Sequence, residues 1–157
     1  MKRVWFVGIS IISSAIILAG CSMGELMVHE AKSPFDFEKT ISVITESAER
    51  LGWVVPKVFD FQKSLLKFEQ DDPGQIKVLK VCKPEYAARL LVRDESKYIS
   101  VLMPCSVAVY EKSDGYTYVA AMNMQLMSML FDGEVGDTLS AVAKEDRSIL
   151  SFISPVD

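Results

Sequence analysis

The sequence predicts one small α+β domain with a mostly antiparallel sheet covered by helices on one face. Three observations carry that expectation. Helical and strand-like segments are interspersed along the chain and do not alternate regularly. Ser113-Asp114-Gly115 separates two strand-like runs as a three-residue hairpin loop, with glycine where a positive φ is needed. The length, 157 residues, fits a single core with little to spare for a second.

The first helix opens at Ser33-Pro34-Phe35-Asp36, where Ser33 or Asp36 can accept backbone N–H bonds and Pro34 suits a first turn. Phe37, Ile41, Ile44, Ala48 and Leu51 follow at spacings of four and three, so they share one face. Gly52 stands where a helix commonly ends. Residues 53–61 are rich in Val and Phe and read as a strand, which Pro56 assigns to an edge or a bulge. Residues 62–68 fit a short helix or an irregular turn. Asp71-Asp72-Pro73-Gly74 is a turn, and Ile76 to Cys82 reads as a strand.

Pro84 starts a second helix with Ala87, Ala88, Leu90 and Leu91 facing inward. Tyr98 to Met103 is a short apolar run that reads as a strand ending at Pro104, and Cys105 to Lys112 reads as another. Tyr116 to Met122 returns from the hairpin. Asn123 ends that strand and caps a helix over 123–131, and a last helix covers 134–150 after the break at Asp132-Gly133.

The first twenty residues read as an address. Met1-Lys2-Arg3 precedes a 16-residue apolar stretch, which is short for a spanning helix and has the shape of a secretory signal. Leu18-Ala19-Gly20-Cys21 resembles the bacterial lipobox. That resemblance implies cleavage before Cys21 and its acylation, hence a lipid-anchored envelope protein. Ser22 after the cysteine favours the outer membrane, facing the periplasm, in a Gram-negative cell. The expected organisation is a lipoprotein signal peptide over 1–20, a lipidated tether over 21–32 and the α+β domain over 33–157. The only histidine, His29, falls in the tether.

Charge and composition exclude several function classes. The formal net charge is −4, from 17 basic and 21 acidic residues. Losing Lys2 and Arg3 makes the processed chain more acidic. Such a chain does not bind nucleic acid by bulk charge. One histidine disfavours His-based catalysis and His-rich metal sites. No phosphate loop, nucleotide motif or nucleophile–base set is recognisable, so no catalytic residue, cofactor or metal ligand is assigned.

Three segments together resemble a known family. They are Val81-Cys82-Lys83-Pro84-Glu85-Tyr86-Ala87, Leu102 to Glu111 (LMPCSVAVYE), and Ala121-Met122-Asn123. In this order they resemble the bacterial and archaeal domain of unknown function 302 family, over about residues 33–150. Lys83 stands where that family usually has Asn, which would cap the following helix better. The resemblance implies a small α+β domain, often dimeric, and no established activity.

Cysteine chemistry is the most specific remaining lead. With Cys21 lipidated, Cys82 and Cys105 remain as a candidate pair. Three readings stay open. A disulfide across this 23-residue separation would add about 3 kcal/mol. Two separate buried thiols would pack as small apolar groups. A functional thiol site would use Cys82 as a thiolate, favoured by the helix start at Pro84 and by Lys83. Met122, Met124, Met127 and Met129 crowd eight residues, and Met103 is near in sequence. Met122, Leu126, Met129 and Leu130 fit the inner face of a core helix, with a soft binding surface or Cu(I) ligation as the other readings. Met103, Pro104 and Asn123 are the candidate binding surface.

The function expected is therefore an envelope-anchored binding or accessory module for a small ligand or protein partner. The alternative is a thiol-redox or Cu(I)-handling protein using Cys82 and Cys105.

Overall fold

The computed structural model describes residues 23–155. The leader and Cys21 lie outside the described residues. The elements in chain order are α1 (Met23–Met27), β1 (Val28–Lys32), α2 (Phe37–Arg50), β2 (Val54–Asp60), α3 (Phe61–Lys67), β3 (Ile76–Cys82), α4 (Pro84–Leu91), a 3-10 helix (Asp94–Leu102), β4 (Cys105–Glu111), β5 (Thr117–Met122), α5 (Met124–Ser128), α6 (Gly133–Ile149) and β6 (Ser154–Pro155). The strands form one antiparallel sheet in the order β2-β3-β4-β5-β1-β6.

Local chemistry explains the elements the sequence predicts. The Asp36 carboxylate accepts from the Lys39 amide at 2.8 Å and starts α2. Phe37, Ile44 and Ala48 are buried on its inner face, and Leu51 sits exposed just past its end. Pro56 falls inside the register shift between Val54 and Lys57, on the edge strand β2. Residues 62–68 resolve as the short helix α3, because the Asp60 carboxylate accepts from the Lys63 amide at 2.8 Å. Gly115, at φ +79°, closes the β4–β5 hairpin, where Lys112 accepts from the Gly115 amide at 3.0 Å.

Four expectations need correction. The described part of the expected tether over 21–32 is folded: Met23–Met27 is α1, held by Asn123, and Val28–Lys32 is a strand between β5 and β6, with Val28 opposite Met122 and Lys32 opposite Tyr118. The domain therefore begins before Ser33. Only Ala31 of this strand is buried. Glu30 points to the open face, where it accepts from Lys112 at 2.6 Å and from the Tyr110 hydroxyl. That polar side hides the strand from a search for apolar alternation.

Tyr98 to Met103 is not a strand but the end of the 3-10 helix. β4 already has β3 and β5 on its two edges, which leaves no place beside it. The Ser96 hydroxyl donates to the Leu90 carbonyl at 2.5 Å and turns the chain there. The helix around the methionines faces the other way from the expectation. Met124 and Met127 are buried, while Met122, Met129 and Leu130 are exposed. In α4, Leu90 is buried but Ala88 is exposed.

The pleat divides the sheet into two faces. One buries Leu79, Val81, Val107, Val109 and Val119 against Ile44 and Ala48 of α2 and Leu139, Val142 and Ala143 of α6. The other carries Val78, Ala108 and Ala120, with Tyr110 and Tyr118 stacked at 6.2 Å. Gly136 packs against the backbone that links α5 to α6. A Cβ there would lie 2.1 Å from the Phe131 carbonyl oxygen and 3.3 Å from that of Ser128. Gly136→Ala should therefore displace the Phe131 backbone in the α5–α6 link and cost about 2 kcal/mol or more. Urea unfolding checks this, and an unchanged midpoint would rule out so close an approach.

Candidate functional site

The segments that resemble the family meet at one end of the sheet. β3 ends at Cys82, and Lys83 then leads into α4 at Pro84. The 3-10 helix enters β4 through Met103 and a cis Pro104, and Cys105 pairs with Val81. The second half of α6 lies over this junction with Val142, Glu145 and Asp146.

Glu145 is the hub. Its carboxylate accepts from Trp53 Nε1 at 2.7 Å, from the Tyr86 hydroxyl at 2.6 Å and from Lys83 Nζ at 2.7 and 2.9 Å. Burial pushes its pKa up, but the bonds from Lys83, Tyr86 and Trp53 outweigh that and hold it below the usual carboxylate range. The same bond raises Lys83 and Tyr86, so Lys83 stays charged and Tyr86 neutral. Lys83 provides no side-chain cap for α4. Its charge is committed to Glu145.

Beneath this cluster is a cavity of about 30 Å³ lined in part by Cys82, Cys105, Met103 and Pro104. Both cysteines are free, so the disulfide expectation does not describe this structure. The expected activation of Cys82 is reversed. Burial raises its thiol, and the Lys83 charge is paired with Glu145. Burial pushes the Cys105 thiol up to about 12, with smaller contributions from Asp146 and Cys82. Asn123 lies apart from this cavity. Its side chain accepts from the Leu126 amide at 3.0 Å, capping α5 as expected, and its Nδ2 donates to the Leu26 carbonyl at 3.0 Å.

Two larger cavities flank α6. One of about 410 Å³ runs between β1, β5 and the end of α6, lined by His29, Ala31, Val119, Ala121, Leu150 and Ile153. Another of about 350 Å³ opens past Met103, Pro104 and Cys105 toward Val28 and Met122. Ala121 and Asp146 line both. Burial pushes the Asp146 carboxyl up to about 6, with His29 across the cavity pulling weakly the other way.

The profile of the family described as Domain of unknown function DUF302 matches residues 29–153. The chain belongs to the DUF302 family. The match begins within β1, which agrees with a domain that starts before Ser33. The crystal structure of an uncharacterized conserved protein DUF302 from Bacillus stearothermophilus is similar in fold, with a TM-score of 0.72 and 22% identity. The similarity covers 82% of this chain and 99% of that one. No curated protein matches the chain.

In this DUF302 domain, sequence reasoning brought Cys82, Cys105, Met103 and Pro104 together but missed Trp53, Lys83, Tyr86, Glu145 and Asp146 as one constellation. One signal was present. Val135, Leu139, Val142, Ala143, Asp146 and Ile149 share the inner stripe of α6, so Asp146 is a charge where an apolar residue is due. Glu145 carries no such mark, because its three partners come from distant segments.

Asp146 makes stability depend on pH with a definite sign. Its pKa is about 6 folded against an ordinary 3.8, so the folded state binds the proton more tightly. Its ionisation costs nothing below pH 4 and costs stability increasingly until about pH 6, up to about 3 kcal/mol. Asp146→Asn removes that cost and keeps a pH-independent offset. The stability gap between variant and wild type should widen from pH 4 to 6 and then level off. A gap that stays flat across this window would mean that Asp146 is solvated.

Proposed function

We propose that this DUF302 chain is an envelope lipoprotein, anchored through acylated Cys21, whose domain binds a small, largely apolar molecule. The observation that carries the binding role is the cavity of about 410 Å³ between β1, β5 and the end of α6. Ala31, Val119, Ala121, Leu150 and Ile153 supply its apolar wall, His29, Glu30 and Arg147 supply polar groups, and the half-buried Asp146 carboxyl faces it without a hydrogen-bond partner on its side chain among the described residues. A concave apolar site with few placed polar groups is the usual form of a small-molecule site. The lipobox resemblance at Leu18-Ala19-Gly20-Cys21 supports the anchor.

Ala121→Leu tests the binding role, because it adds bulk where the two large cavities meet. Solvent extracts of detergent-purified wild type should contain a small molecule at about one per chain that Ala121→Leu lacks, while both proteins stay folded. Equal small-molecule content in the two would contradict the reading.

One observation favours a second reading, Cu(I) handling. Cys82, Cys105 and Met103 line one small cavity, and two thiolates with a thioether form a soft ligand set suited to Cu(I). Metal would displace both thiol protons, so their raised pKa values make Cu(I) binding weaken as pH falls. Under a Cu(I) chelator in competition, the reduced protein should retain one equivalent, and Cys82→Ser or Cys105→Ser should lose it. Retention by both variants would end this reading.

A further inference from the structure

The sheet topology collects three short elements at one end. β1 begins, β4 begins and β5 ends there, with Val28 opposite Met122 and Cys105 opposite Val81. α1 precedes β1, the 3-10 helix precedes β4, and α5 follows β5. This end exposes large apolar side chains: Leu26 at 49%, Val28 at 47%, Val101 at 84%, Met122 at 39%, Met129 at 70% and Leu130 at 63%. They are connected. Val28, Val101 and Met122 line one cavity mouth, and the Tyr98 ring lies 6.4 Å from that of Phe131, which follows Leu130. Neither 98–110 nor 122–131 contains a charged residue. Soluble monomers rarely leave a patch of this kind uncovered.

We infer that this end of the domain rests on the lipid bilayer, its exposed side chains entering the boundary between headgroups and acyl chains. The inference rests on the proposed acylation of Cys21. What selects the bilayer over other occupants is the length of the link. Only Ser22 separates Cys21 from Met23, where α1 begins, so the two Cα atoms are within about 8 Å. α1 is not a swinging arm. Asn123 receives it at both ends of its amide-to-side-chain reach: its backbone N–H donates to the Met27 carbonyl at 2.8 Å and its Nδ2 to that of Leu26 at 3.0 Å. An acylated Cys21 thus brings the membrane to the end that carries the patch. The opposite end carries the charged hairpin residues Lys112 and Asp114 and the turn Asp71-Asp72, and it also exposes Phe61, Leu66 and Phe68, but the short link from Cys21 leads to the other end. Acyl chains and an apolar patch then act together on one surface.

Tryptophan quenching by bromine in the acyl chains tests this in the full-length lipoprotein. Trp53 is buried and is the only tryptophan after residue 20, so it provides a constant background. Leu130→Trp and Ser113→Trp are prepared from membranes and reconstituted into phosphatidylcholine vesicles with and without brominated chains. Intact mass first establishes the acyl groups on Cys21. The inference predicts loss of the Leu130→Trp emission in brominated vesicles and no loss for Ser113→Trp. An acylated protein with neither tryptophan quenched overturns the bilayer contact and leaves the anchor standing. A Leu130→Trp emission that shifts to the blue with rising surface density but is not quenched overturns it in favour of a second copy. A mass without acyl groups removes the anchor and the inference together.

Discussion

One carboxylate holds the arrangement together. Glu145 takes hydrogen bonds from Trp53 at the start of β2, Lys83 at the β3–α4 junction and Tyr86 in α4. These donors come from segments 59 to 92 residues away in sequence. Hydrogen bonds to a charged group are stronger than neutral ones, and their partial burial reduces competition from water. The cost of burying the carboxylate is offset because every strong acceptor direction is used. The rotation of α6 about its own axis is fixed as a result. The next side chain, Asp146, turns about 100° away and meets the cavities under β5 and β1.

Two adjacent carboxylates therefore have opposite fates. Glu145 is saturated and ionised, and it serves the fold. Asp146 is half-buried with no hydrogen-bonding side-chain partner among the described residues, and partial burial pushes its pKa up to about 6. A buried ionisable group in a cavity is where ligand chemistry is commonly found. The soft-ligand cavity with Cys82, Cys105 and Met103 is lined from α6 by Val142, one turn before Asp146 on the same inner stripe. The position of α6 thus governs both candidate sites of this DUF302 domain. At the same end, α1, the 3-10 helix and α5 form the apolar surface, so the cavity mouth and the patch are neighbours.

Much of the fold was legible because its signals are local. Asp36 caps α2, Pro56 marks an edge irregularity, Gly115 closes the hairpin and Asn123 caps α5. β1 was not legible, because Glu30 and Lys32 face polar partners on the open side of the sheet and interrupt apolar alternation. The run 98–103 has strand composition but no free strand edge to join. Met122, Met129 and Leu130 keep helical spacing yet face outward, since periodicity identifies a face without saying what covers it. At the site, Cys82 and Cys105 were visible as a pair, but their pKa values depend on burial that only the packed fold supplies. The Glu145 cluster depends on long-range placement and left no pattern in the chain.

The most direct test of this account is the indole N–H of Trp53 observed by proton NMR. The chain has two tryptophans, Trp5 and Trp53, and the Trp53 resonance is the one lost in Trp53→Phe. A 2.7 Å bond to the Glu145 carboxylate predicts a downfield, slowly exchanging proton that moves upfield and exchanges faster in Glu145→Gln. An indole proton at the free-tryptophan position, exchanging rapidly and unchanged by Glu145→Gln, would contradict the account. It would mean that α6 is not held where both candidate sites require it.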